Sequence, residues 1–132
     1  MAVTTIVQTQ LSTIVVTRGC LISLLEAWKE NKITAADVYE TAEQLFSAGE
    51  KKILDWENGE DYSVTIEMLH YLEMMDINFI TQEDIDPAIE FLQTKIGCYK
   101  EGSEKWDAYK ATINHEERVE RLKGQYPYIS VD

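Results

Sequence analysis

Apolar residues recur at three- and four-residue intervals along most of this chain, the spacing of helices that each bury one stripe. Leu21, Leu24, Leu25 and Trp28 predict a first helix ending near Asn31, and Leu11, Ile14 and Val15 could extend it upstream. Thr, Val and Ile crowd residues 3 to 16, however, and β-branched side chains lose freedom in a helix, so a short N-terminal strand competes with that extension. Thr34 is placed to cap a second helix, with Asp37 as the acid of a capping box and Ala48-Gly49 as its end after Ser47. Residues 55 to 62 break the period around an Asn-Gly pair and read as a loop.

A third helix is expected from about Ser63 to Asp76, burying Ile66, Leu69 and Leu72 together with Met68 or Met75. Methionines at helical spacing fill cores more often than they form binding surfaces. Thr81 with Asp84, then Asp86-Pro87, mark the start of a fourth helix that should stop at Gly97. The last helix, Ser103 to Gly124, carries Trp106, Tyr109, Ile113 and Leu122, with a bend at Asn114, where a polar residue can cap a new helix. Gln125 to Asp132 reads as an extended tail.

At an offset of 47 residues, Leu25, Glu26, Asn31, Ile33, Thr34, Asp37, Glu43 and Leu45 are repeated as Leu72, Glu73, Asn78, Ile80, Thr81, Asp84, Glu90 and Leu92. In each copy the isoleucine staples the link onto the core, the threonine caps, and the acid faces the positive end of the helix dipole. The expected fold is therefore all-α: a bundle of about five helices built around two similar helical hairpins. The links superficially resemble the end of a calcium loop. With Asp37 or Asp84 as the twelfth position, Trp28 and Met75 fall where an oxygen ligand is needed, which argues against calcium.

A length of 132 residues suits one domain with a single core. Cys20 and Cys98 stand alone without a Cys-x-x-Cys, so reduced, buried thiols and a cytoplasmic setting are expected rather than a disulfide framework or zinc finger. Residues 1 to 17 carry no side-chain charge, but polar residues interrupt their apolar run and no basic segment precedes it, so neither a signal peptide nor a membrane span is expected. Glycine-rich phosphate loops, Gly-x-Ser-x-Gly elbows and His-Glu-x-x-His motifs are all missing from the sequence. Glu67-x-x-His70 is half of a di-iron motif, and His115 is preceded by Thr112 where a second glutamate would be required. No enzyme, cofactor or metal site is expected.

The formal charge is −12, which repels nucleic acid and anionic membranes and favours a basic protein partner. The charge is unevenly spread. Residues 53 to 94 hold eleven acids and no lysine or arginine, whereas residues 1 to 52 have a net charge of −1 and residues 95 to 132 of 0. Glu67, Glu73, Asp76, Glu83, Asp84, Asp86 and Glu90 lack a base one helical turn away. Two explanations remain open: solubility with favourable placement at helix starts, or a surface that enters a basic cleft as a nucleic-acid mimic. In the second, Asp55, Trp56, Glu57, Glu60, Asp61 and Tyr62 form an approaching loop with aromatic anchors, and Glu73, Asp76, Glu83, Asp84 and Asp86 add carboxylates.

The stretch Leu24-Leu25-Glu26-Ala27-Trp28-Lys29-Glu30-Asn31-Lys32-Ile33-Thr34-Ala35-Ala36-Asp37-Val38 resembles the opening helical hairpin of colicin D-type immunity proteins. In that family an apolar helix with an aromatic precedes a short basic link, then Ile-Thr and a second helix. The resemblance is confined to this hairpin. It implies an acidic helical bundle that plugs the active site of a ribonuclease toxin, without assigning individual inhibitory residues. The competing expectation is a helical adaptor or self-associating module whose acids serve only solubility.

Overall fold

The computed structural model of the protein describes residues 13–54 and 63–128. The chain is mostly helical, with one very small parallel sheet. In order come β1 (Ile14–Val16), α1 (Arg18–Lys29), α2 (Ala35–Ser47), β2 (Lys51–Ile53), α3 (Ser63–Glu73) and α4 (Met75–Asn78). A 3-10 turn (Gln82–Asp84) leads into α5 (Ile85–Leu92), followed by α6 (Tyr99–Lys110) and α7 (His115–Leu122). α1, α3 and α5 pack on one another, α2 lies along α3, and α6 lies along α5.

The buried side chains form one cluster, with Leu21 and Leu25 of α1, Leu69 and Leu72 of α3, and Phe91 and Leu92 of α5 at its centre. Burying one such side chain contributes about 1.5–3 kcal/mol. Met68 and Met75 are both fully buried, so the methionine stripe is core. On the α6 side, Trp106 stacks on Phe91 at 5.7 Å between centroids, and the Tyr71 ring meets it edge-on at 5.2 Å.

Local capping chemistry sets most helix starts. The Thr34 side chain accepts from Asp37 N at 3.2 Å while Thr34 N donates to Asp37 Oδ2 at 2.9 Å. The second box keeps its acid in the same role, Thr81 N donating to Asp84 Oδ2 at 2.9 Å, but Thr81 Oγ1 takes Glu83 N at 3.3 Å in the tighter 3-10 turn. Asn114 accepts from Glu117 N at 3.1 Å and starts α7, so the expected bend is a complete break between two helices.

Several boundaries differ from the sequence reading. Residues 14 to 16 form a strand, paired parallel with Lys51–Ile53 in the register Ile14↔Lys51, so the helical extension does not occur at these positions. Thr17 ends it by capping α1, its side chain accepting Cys20 N at 3.2 Å. The third helical region breaks at Met74 and runs on to Asn78, and α5 stops at Leu92, where the chain tightens into i→i−3 bonds from Gln93 N to Glu90 O and from Thr94 N to Phe91 O. Residues 125 to 128 form turns, not an extended tail, and Tyr128 is buried against Phe79 at 5.4 Å. Cys20 is exposed and Cys98 half-buried, against the expectation of two buried thiols.

Arg18, the first charged residue of the chain, is fully buried at the start of α1. It donates to Leu92 O at 3.1 Å and to Thr94 O, supplying two carbonyls at the end of α5 that a helix leaves without intrahelical donors.

Candidate interaction surface

Asp84 is the acid most firmly engaged inside the fold. It sits at the end of the 3-10 turn, 1% exposed, and Arg118 of α7 reaches it with two bonds, Nη1 to Oδ2 at 2.7 Å and Nη2 to Oδ1 at 3.0 Å. The Tyr109 hydroxyl donates to Oδ1 as well. Arg118 also donates to Phe79 O at 3.2 Å and to Glu83 Oε1 at 3.2 Å. Burial alone would pull the guanidinium's pKa down, but the bonds and attraction to Asp84 outweigh it and hold the pKa above its usual value. The Tyr109 phenol is pushed up to about 12, first by burial and then by its bond to Asp84.

This network is anchored by a backbone feature. Phe79 closes α4 in the left-handed region, φ 51°, where a bulky side chain is strained by about 1–3 kcal/mol. Its ring lies between Tyr128, stacked at 5.4 Å, and His115, edge-on at 5.5 Å, while its carbonyl takes Arg118. Packing on three sides over-determines the conformation. Asp84 therefore joins α4, α5, α6 and α7 and is not available to a partner. The sequence reading of Asp84 as a surface carboxylate is corrected by this burial.

Other acids of the middle third meet bases from the flanking helices. Lys29 Nζ lies 2.8 Å from Asp86, Lys105 3.3 Å from Glu90, and Arg118 3.2 Å from the exposed Glu83. His70 Nδ1 is 3.0 Å from Glu73, and the Tyr99 hydroxyl donates to Glu67. The exposed pairs add little stability, about 0–1 kcal/mol each, yet they reduce the negative field over α5. Glu67 and His70 thus have separate partners. Among the described residues, no group of three or more His, Cys, Asp or Glu could hold a metal ion. Asp55, Trp56, Glu57, Glu60, Asp61 and Tyr62 lie outside the described residues.

A different group of carboxylates gathers around two tyrosines. Tyr39 of α2 and Tyr126 of the C-terminal turn meet edge to face, 6.1 Å between centroids and 80° between planes. The Tyr126 hydroxyl donates to Glu40 Oε2 at 2.9 Å and that of Tyr39 to Glu43 Oε2 at 3.5 Å. Burial and the charges of Asp76, Glu43 and Glu73 raise the Tyr39 pKa, while the bond to Glu40 leads the rise at Tyr126. The charged groups chiefly acting on these phenols are carboxylates. Tyr126 is 64% exposed, and Glu40 and Glu43 stand in solvent on the outer side of α2.

Of the predicted partner-binding acids, Asp76 and Glu73 act on the Tyr39 phenol through their charge, Glu73 while paired with His70 and only 14% exposed, whereas Glu83 and Asp86 lie apart in ion pairs. Tyr39, Glu40 and Tyr126 were not singled out in the sequence, and Glu43 only as a position of the repeat. The Tyr39/Glu43 spacing of one helical turn was legible, but Tyr126 reaches Glu40 from 86 residues away with no local sign.

A half-open cleft of about 380 Å³ separates α5 from α6, with Phe91, Trp106 and Tyr109 on its apolar side and Glu90, Lys95 and Lys105 among its charged residues. Gly102 is what allows the two helices to approach. A Cβ there would lie 2.2 Å from Thr94 Oγ1 and 2.9 Å from Thr94 Cβ. No helix among the described residues is long and apolar enough to cross a membrane. Comparison with protein-family models, with curated proteins and with solved structures returned no match for this chain.

Proposed function

We propose that this chain is a small, acidic, non-enzymatic binding protein that docks on a basic site of a protein partner, in the manner of an immunity protein or inhibitor. The observation carrying this reading is the Tyr39/Tyr126 pair bonded to Glu40 and Glu43, with the charge of Asp76 acting on Tyr39 as well. The exposed Tyr126 ring on the half-buried Tyr39 gives a contact centre, and carboxylates around them steer a basic partner and pair with its lysines and arginines. The acids and aromatics at Asp55, Trp56, Glu57, Glu60, Asp61 and Tyr62 are the second element of the proposed contact. A nuclease or other nucleic-acid-binding protein is the partner class whose phosphate-binding cleft would accept such a surface.

The hairpin likeness to colicin D-type immunity proteins agrees with this role, and we read the two Thr-Asp capping boxes as the starts of second helices in two related hairpins. Free cysteines suit action in the reducing cytoplasm. The test starts from the partner captured by the full chain. That partner should be basic, its active site should be blocked at one-to-one stoichiometry, and association should slow at least about tenfold between low and high salt. Glu40→Lys with Asp76→Lys should weaken binding by at least about tenfold. Salt-independent binding that ignores both reversals would refute the acidic-face mechanism.

A further inference from the structure

The two-stranded sheet has one guarded edge and one open edge. In a parallel ladder a residue aims both its N–H and its C=O at the same neighbour, and the next residue aims both the other way. Ile14 N donates to Glu50 O at 3.0 Å and Val16 O accepts Leu54 N at 2.8 Å, so Ile14 and Val16 face β2. Val15 therefore presents its N–H and C=O on the outer side. No acceptor for that N–H is found among the described residues, and the carbonyl receives only the Cys20 thiol, at 3.8 Å. The side chains of Ile14 and Val15 are 39% and 48% exposed.

Natural sheets protect such edges with lysine, proline or bulges. β2 carries Lys51 and Lys52, and Lys51 Nζ turns back onto Phe46 O at 2.8 Å and Ala48 O at 3.0 Å. Among the described residues β1 has no such guard, since residues 13 to 17 carry no charged side chain. Parallel sheets are normally covered on both faces, and two strands alone are marginal.

We propose that β1 is a docking edge for a second copy of this chain, the two β1 strands pairing antiparallel about a two-fold axis at Val15. In that arrangement each Val15 donates to and accepts from its counterpart, and the result is a four-stranded sheet in the order β2-β1-β1-β2. A like copy fits better than a basic partner because the edge itself is uncharged. Within one residue of either strand the charged side chains are Lys51 and Lys52 against Glu50, net positive in a chain of −12, so two copies meet here with less repulsion than elsewhere. This association is independent of the acidic tyrosine face and should persist in high salt.

Sedimentation velocity of the reduced full chain, from roughly 1 µM to 1 mM, should show monomer passing to dimer. Val15→Pro and Val15→Lys should raise the dimer Kd at least about tenfold with an unchanged circular dichroism spectrum, because the Val15 N–H has no acceptor among the described residues of the protomer. Amide exchange at Val15 should slow as the dimer forms. A wild type that stays monomeric throughout, or a dimer indifferent to both substitutions, overturns the proposal. So does a Val15 amide already protected in the dilute monomer, which would assign the edge to the first twelve residues of the chain itself.

Discussion

Removing Arg118 tests whether the buried Asp84 network holds the bundle together. Arg118→Ala deletes the two bonds to Asp84, the bond to Phe79 O and the exposed link to Glu83. Asp84, 1% exposed in the intact protein, would keep only Thr81 N and the Tyr109 hydroxyl as donors. Stripping one member from a buried pair costs about 3–5 kcal/mol, and the two surviving donors place this case near the lower end, about 3 kcal/mol. For a chain of this size that lowers Tm by roughly 10 °C. Urea unfolding followed by circular dichroism measures the cost, with Asp86→Ala as the control that breaks the exposed Lys29 pair and should lose less than about 1 kcal/mol. Asp84→Asn refines the comparison by preserving shape and the cap acceptor while removing the charge, at an expected cost of about 1.5–3 kcal/mol. If Arg118→Ala is no more harmful than Asp86→Ala, the network does not carry the load argued here.

Gly102→Ala should destabilise by about 1–3 kcal/mol through its clash with Thr94, and adding Thr94→Ala should recover much of the loss by removing the two closest contacts. Thr81→Ala should cost more than Thr34→Ala, about 2 against about 1 kcal/mol by thermal melting, because Thr81 is buried beside the ion pair while Thr34 caps in solvent. Tyr109 and Tyr128 are each pushed up to about 12, first by burial, with Asp84 further disfavouring their charged forms. A phenol whose folded pKa exceeds its unfolded value supports the fold below the ordinary tyrosine pKa of about 10 and loses that support as pH rises through the folded value. Stability should therefore fall between about pH 10 and 12, and the double variant Tyr109→Phe, Tyr128→Phe should flatten the fall.

Helices and their caps were legible in the sequence because both are local. Thr34, Thr81 and Asn114 each meet an amide two or three residues ahead, and a periodic apolar stripe says which side is buried. The strands were harder to foresee. Three residues carry too little alternation to define a strand, and Lys51–Ile53 owes its geometry to β1, far away in the chain. Asp84 reads as a free carboxylate because its base is 34 residues distant, and gaps of 57 and 15 residues hid Lys29 from Asp86 and Lys105 from Glu90. Local counting showed that the middle third has no bases. It could not show that three folded neighbours lend theirs. The tyrosine face was lost for the same reason, since its two rings come from α2 and from the far C-terminal turn.

That borrowing dictates an order of assembly. During synthesis from the N-terminus, Asp84 emerges with its cap but without its counter-ion until 34 further residues have followed, and Glu90 without Lys105 until 15 have. A nascent chain halted after α5 would hold eleven acids with no base of their own in residues 53 to 94 and only Lys29 to answer Asp86. Pulse-labelled ribosome-bound intermediates should accordingly stay protease-sensitive until α7 has cleared the exit tunnel, then become resistant in a single late step.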